Sequence, residues 1–504
     1  MKDQWLNYRP LCLVFSFLLL GTIFAFYITI NTILTIIVSV CVLAILVFIS
    51  IKNKTPKFII IAITSFAISV GVYFVCINQF SNKSIELPTQ VEARVYSINT
   101  PKDGSLLLYA DSTSFDSKEI DSNLIIYIYD THNDFSSFKI GDVLEIKPSK
   151  IYYTDLFYTN LPNSRYYSDN LKYSITANRE NVNIKTNDKT FAEEIRLKIK
   201  DNLHYGLSNE NVEIAYSALF GDKSMLSRDQ YNAYKLSGIA HMLAVSGLHV
   251  GIITSLLNKL LKLCRVKRKV GFVIIAIILG FYMYMCNFSI SVVRATVMSL
   301  LMLLAPILRK EYDSLSALGF AGIVCFMINP LLAFDVSALM SFSCVAGIIL
   351  LSKSFTKVFE RIKLPKFLST SLAVSAATTI SMIVIMAFFF NNLNIISVLA
   401  NIILIPIFTF AFTITFVVSM LSLICPYVTY ILYPIGYIYD FINLMSVIFA
   451  NLPISNFSTI SFDYMAIVAY FMFLLFVSRI CTAKRVNKII YTLPIVAILF
   501  VCLL

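Results

Sequence analysis

Runs of about twenty apolar residues recur along this chain, and each is long enough to cross a bilayer as a helix. In hydrocarbon a backbone must satisfy its own hydrogen bonds, so such runs commit to helix. Of the 504 residues, 58% are hydrophobic and 14% charged. A soluble domain carries about 25% charged residues, so the charges here are too few to wet a globule of this size. The first run, 11–51, is too long for a signal peptide and shows no convincing cleavage site. Thr29, Asn31 and Thr32 divide it into spans at 11–30 and 33–50, and a third follows at 58–77. Further spans are expected at 237–263, 270–287, 288–308, 314–329, 331–351, 367–390, 394–425, 427–450, 464–480 and 489–504, about thirteen in all. Two are irregular. The run 314–329 is short and ends at Asn329 and Pro330, which also suits a re-entrant segment. The run 395–425 is long and holds Pro406, which predicts a kinked or broken helix set against protein or a water-filled cavity.

The formal charge of +12 invites a nucleic-acid reading, but its placement speaks for topology. Basic residues cluster between apolar runs, as at Lys52, Lys54 and Lys57; Arg265, Lys267, Arg268 and Lys269; and Lys353, Lys357, Arg361, Lys363 and Lys366. The positive-inside rule accounts for such clusters without a ligand and places the amino terminus in the cytoplasm. All ten cysteines lie in or beside apolar runs with no CxxC pair, so they read as small hydrophobes rather than disulfides or zinc ligands.

Residues 81–208 differ. Five stretches, 91–98, 106–111, 124–130, 142–151 and 171–177, alternate or are rich in β-branched and aromatic residues. Turn signals at Asp103, Gly104, Gly141 and Asp142 punctuate them. Five short strands predict a small Greek-key barrel such as an OB-fold, outside the membrane, with a polar helix near 191–202 leading back. The expected organisation is therefore 1–80 amino-terminal spans, 81–208 the extracytoplasmic β domain with its connecting helix, and 209–504 a transmembrane unit. Between 85 and 185 ten basic residues face fourteen acidic ones, so bulk charge gives no DNA groove there.

The densest signal is 237–251, SGIAHMLAVSGLHVG. Read as one helix, Ala240, Ala244, Gly247 and Gly251 form a small-residue stripe suited to close helix packing. His241 and His249 then lie about 80° apart around the axis. Tight packing with two hydrogen-bonded histidines is the plain reading. Arg294 and Asp335 fall inside later spans, and an ionisable residue there faces a partner or water. An Arg294–Asp335 ion pair and a hydrophilic vestibule are both consistent with that placement.

These residues resemble the ComEC/Rec2 competence family. Phe220, Gly221 and Asp222 match its LGD-like turn. Gly238, His241, Ala244, Ser246, Gly247, Leu248, His249 and Gly251 match its SG-x-x-H-LLA-x-SGLHVG helix. Ser291, Arg294 and Ala295 resemble its VLRA segment, and Tyr312, Asp313, Ser316, Ala317 and Leu318 its YDPLNALALA segment. Asn329, Pro330, Ser341 and Phe342 fit DP…LSF; Asn401, Ile405 and Pro406 fit NLLAIP; and 88–177 is similar to the family's OB-type domain. Leu339 stands where the family often has Gln.

The resemblance implies an inner-membrane channel admitting single-stranded DNA during natural transformation. His241, Ser246, Gly247, His249, Gly251, Arg294, Asp335, Asn401 and Pro406 are the candidate channel residues. It implies the lipid bilayer and an extracytoplasmic DNA receptor as partners, and is compatible with an oligomer of the chain. Many members continue into a metallo-β-lactamase-like nuclease. The four histidines (132, 204, 241, 249) supply no HxHxDH cluster, so a separate nuclease is expected. No Walker A pattern occurs, which implies a separate cytoplasmic helicase-type motor. No cofactor, metal or catalytic residue is expected. The alternatives are a solute transporter of related fold, although no inverted repeat is evident, and an intramembrane metal enzyme using His241, His249 and Asp335.

Overall fold

The computed structural model describes residues 9–30, 56–79, 457–458 and 87–452, the last without 100–104, 117, 121, 130–137, 154–156, 159–160, 163–168, 224–225, 364, 391 and 394–395. The expected spans at 33–50, 464–480 and 489–504, and the basic loop 52–55, lie outside the described residues.

Two helices come first, α1 (Pro10–Ile30) and α2 (Pro56–Gln79). They approach closely at Gly21, where an added Cβ would strike Ser69 and the Phe66 carbonyl. The β domain follows. Its strands are β1 (Val91–Asn99), β2 (Ser105–Phe115), β3 (Lys118–Glu119), β4 (Asn123–Tyr129), β5 (Asp142–Ile146), β6 (Lys150–Tyr153), β7 (Phe157–Tyr158), β8 (Leu161–Pro162), β9 (Leu171–Asn178) and β10 (Val182–Asn187). The period-2 pattern does what it predicts: alternate residues of β5 and β9 are buried, and Val91, Ala93, Val95, Leu106, Leu108, Leu124, Ile126, Leu144 and Ile175 form the core.

All five expected strands are present, with the fourth divided. Pro148 has no N–H for a ladder, and the stretch 142–151 splits there into β5 and β6. The strands pair in the order β10-β5-β1-β2-β4-β9-β6, with β3 beside β2 and a parallel β4–β9 pair. As a hydrogen-bonded path this sheet is open, where the sequence leads one to expect a closed barrel.

Helix α3 (Phe191–Leu203) starts at a capping box in which Thr190 Oγ1 accepts from the Glu193 N–H and the Glu193 carboxylate accepts from the Thr190 N–H. Arg94 on β1 reaches both Asp111 (2.8 Å) and Glu193 (3.1 Å), tying the sheet to this helix. Asn202 donates to the Ser422 carbonyl at 3.0 Å, so the same helix is anchored to the bundle.

The bundle comprises α4 (Asn209–Phe220), α5 (Arg228–Leu236), α6 (Gly247–Leu263), α7 (Arg268–Met285), α8 (Ile290–Ile307), α9 (Ser314–Ile328), α10 (Val336–Arg361), α11 (Lys366–Phe390), α12 (Ile396–Ser422) and α13 (Tyr433–Ala450). Seven described helices are long and apolar enough to cross a membrane, within α2, α7, α8, α10, α11, α12 and the segment Pro426–Ala450; α1 and α9 are shorter apolar helices. The chain is thus largely helical with a β domain inserted. Contrary to the expected break, α12 runs through Pro406 without interruption. One missing hydrogen bond in 27 residues leaves the rest of the ladder to hold the helix, and the proline is exposed.

The closest helix-to-helix approaches of the bundle fall at glycines outside the expected stripe, where a Cβ would meet backbone or a packed ring. A Cβ on Gly319 would sit 2.6 Å from the Cys12 nitrogen, and one on Gly322 2.5 Å from the Phe15 ring, so α9 lies directly on α1. Gly347 plays the same part between α10 and α11, facing Ser381 and the Ala377 carbonyl. Arg9 and Asp313 close the α1–α9 contact with a two-pronged ion pair of 2.7 and 3.0 Å. The hydrogen bond from Arg9 holds the Asp313 carboxyl at about 2, below its ordinary range.

Candidate functional site

The segment 237–251 is not one helix. It is a helix stop, a short turn and a helix start. Gly238 has φ +79°, and the bonds from Ile239 N to Tyr234 O (3.0 Å) and from Gly238 N to Lys235 O (3.1 Å) end α5 in a Schellman motif. A 3-10 turn covers Ala240–Leu243, Ala244 is extended, and Ser246 caps α6. The stripe of small residues therefore does not exist as a helix face. Gly247 packs against α8, with Arg294 Nη2 only 2.9 Å from where its Cβ would stand. Gly251 faces open space, with nothing within 4 Å of a Cβ placed there.

The two histidines take different parts. His249 fills the N3 position of a capping box usually held by Glu or Gln. Its Nδ1 accepts from the Ser246 N–H at 3.0 Å, which places the ring proton of the neutral form on Nε2. The ring is buried between Phe412 (4.3 Å between centroids) and Phe408 (5.6 Å), and Nε2 has no partner among the described residues. His241 is exposed, and its Nδ1 bonds the Gly238 carbonyl at 3.2 Å. Lys223, over the Tyr231 ring at 5.4 Å, is near enough for its charge to be felt at His241. Upstream, Gly221 ends α4 at φ +81°, and Ser217 Oγ donates to the Asp222 carbonyl at 2.7 Å.

Arg294 lies in the second turn of α8 and is 4% exposed. Its Nη1 donates to the Ser341 carbonyl, its guanidinium stands 5.7 Å from the centroid of the Phe342 ring, and its Nε has no partner among the described residues. Ser291 Oγ and Ser341 Oγ meet at 3.0 Å beside it. Among the described residues no carboxylate pairs with Arg294, so the expected Arg294–Asp335 ion pair is not formed. Asp335 is the N-cap of α10, accepting from the Ala338 N–H at 2.7 Å. The sequence placed it a turn into a span; a 3-10 turn over Leu332–Phe334 precedes it instead, and the helix begins after it. A side-chain oxygen at the N-cap satisfies one of the orphan N–H groups of the first turn, which accounts for an acidic residue at this position.

Asn401 and Pro406 lie on α12, the helix whose Phe408 and Phe412 pack on His249, and the buried Asn401 Oδ1 has no partner among the described residues. The structure thus joins Gly247 to Arg294 and Ser246 to His249, and adds Ser341 and Phe342 from α10. The part of Ser341 is played by its backbone carbonyl, which no side-chain signal announces. The caps were legible: a Gly after α5 and a Ser before α6 are stop and start signals. Among the described residues no group of three or more His, Cys, Asp or Glu side chains could hold a metal ion. The seven described cysteines are free thiols.

Fold and site together define a polytopic membrane protein with an inserted β domain and a buried cation that no carboxylate neutralises among the described residues. The model of the Competence protein family matches residues 218–483, more than half of the chain, and the chain belongs to that ComEC/Rec2 family. It is 28% identical to ComE operon protein 3 of Bacillus subtilis over 204 residues, 40% of this chain and 26% of that protein. It is 25% identical to Recombination protein 2 of Haemophilus influenzae over 220 residues, 41% of this chain and 27% of that one. An uncharacterized protein of Aquifex aeolicus is 32% identical over 144 residues, 28% of this chain and 34% of its own length. The chain thus aligns with about a quarter to a third of each relative's length. No solved structure matches it.

Proposed function

We propose that this chain admits one strand of DNA across the bacterial cytoplasmic membrane during natural transformation. Membership of the competence-protein family over residues 218–483 is the observation that carries the reading. The physics supports it. A polyanion needs a wet, protein-lined route, and this bundle holds an exposed His241, open space at Gly251 and a buried Arg294 that no carboxylate neutralises among the described residues.

In this reading the amino terminus is cytoplasmic and the β domain lies outside, where a DNA receptor hands over the strand and a separate nuclease removes its complement. A helicase-type motor draws the strand from the cytoplasm. The β domain is then an OB-type barrel. Support comes from the strand path, whose β5 pairs with β1 and whose β6 pairs with β9, while only Lys147, Pro148 and Ser149 separate β5 from β6. A single bent strand would thereby join both sides of the sheet.

The reading is tested in a transformable host whose own family member is deleted. Expression of this chain should restore transformants by orders of magnitude over the deletion. Restored binding of DNA to the cell surface with no transformants would contradict it.

A further inference from the structure

We propose that the first turn of α6 and the guanidinium of Arg294 together bind one phosphodiester group of a nucleic-acid strand. The proposal rests on the reading of the bundle as the strand's path. Helix N-termini attract anions because their first N–H groups lack intrahelical acceptors and carry the positive end of the macrodipole. In α6 the cap Ser246 covers the Leu248 N–H (3.2 Å) and closes its box with His249. The Gly247 N–H meets no acceptor among the described residues.

The second, independent observation is Arg294. It is 4% exposed, one nitrogen is spent on the Ser341 carbonyl, and Nε has no partner among the described residues. Nη2 points at Gly247, 2.9 Å from where a side chain would begin. No carboxylate pairs with it among the described residues; a desolvated cation so placed is costly, and a bound anion would relieve that cost. A side chain at 247 would collide with that nitrogen, so glycine there lets the guanidinium stand against the first turn of α6. One turn on, Gly251 leaves that face of α6 open, which gives a chain-like ligand room to pass. A guanidinium offers two parallel donors, which suits the paired oxygens of a phosphodiester.

The test uses the full chain in phosphatidylcholine nanodiscs and a labelled oligothymidine, with affinity measured against salt. Arg294→Gln should weaken binding about tenfold, the loss of one charge-assisted hydrogen bond. It should also flatten the log–log salt slope by roughly 0.7, the signature of one lost phosphate contact on a single strand. Arg294→Lys should keep the slope while losing part of the affinity. Gly247→Ala, whose methyl displaces Nη2, should weaken binding with an unchanged unfolding midpoint, and it carries the test alone if Arg294→Gln fails to fold.

Unchanged affinity and slope in these variants would overturn the site. So would competition by phosphatidylglycerol nanodiscs that abolishes the Arg294-dependent part, because the occupant would then be a lipid headgroup. The site and the transport reading can fail separately. If cells take up DNA equally without the protein while Arg294-dependent binding persists, the transport reading falls and the site stands. If uptake needs the protein but the slope does not move, the site alone falls.

Discussion

At the residue scale the account turns on what each small or charged side chain faces. A Cβ at Gly247 meets the Arg294 guanidinium and one at Gly251 meets open space, so the two glycines should respond differently. Gly247→Leu should lower the amount of folded protein, by about 1–3 kcal/mol of overpacking, whereas Gly251→Ala should fold normally. Quantitative recovery of detergent-soluble, monodisperse protein decides between them; equal yields would remove the packing role assigned to Gly247. Asp313 supplies a pH prediction. Its folded-state pKa is held at about 2 by Arg9, below the ordinary carboxylate value of about 3.9. Its contribution is therefore complete above the ordinary value and is lost as pH falls through 2. The pair is part-exposed, so Asp313→Asn should cost less than about 1 kcal/mol near neutral pH. Thermal midpoints of native and variant proteins should converge toward pH 2; a constant gap would mean that the ion pair contributes nothing. The sequence announced Arg294 as an unusual charge but not its surroundings, since its acceptor is a backbone carbonyl brought from α10. Asp335 was expected inside a span beside Arg294; it stands instead at a helix start, where its carboxylate caps α10.

At the scale of elements, the reading from periodicity was most accurate where one face of a strand is buried. β1, β2, β4 and β9 appear where alternation placed them, and Pro148 explains the division of the fourth stretch. It was least accurate at 237–251, because an apolar run carries no period that separates one long helix from two helices with a turn between them. Gly238 and Ser246 held that information as cap signals. The close helix contacts were also hidden, since a glycine's environment depends on the partner helix. Gly319→Leu should therefore destabilise more than Gly247→Leu, because the obstacle at 319 is the backbone of α1 rather than the end of a side chain. The connection from sheet to bundle makes a further prediction. Glu193 caps α3 and pairs with Arg94 while buried, so Glu193→Ala should cost about 2–4 kcal/mol. Limited proteolysis within 81–190 should accelerate in that variant; an unchanged rate would show that the ion pair does not hold the domain.

At the scale of the whole molecule, hydropathy gave the class at once, because few other folds tolerate so little charge. Orientation rests on the positive clusters alone. A cysteine at the exposed Ser149, in a background where Cys264 and Cys425 are replaced, should react with an impermeant thiol reagent on cells stripped of outer barriers. Labelling only after lysis would invert the topology and with it the proposed direction of transport. The most direct measurement of the central claim follows end-labelled duplex DNA into the cytoplasm of a host lacking its own family member. With this chain present, one labelled strand should accumulate in a nuclease-protected cytoplasmic pool, while its absence should leave label bound outside. Equal cytoplasmic label with and without the chain would contradict the account.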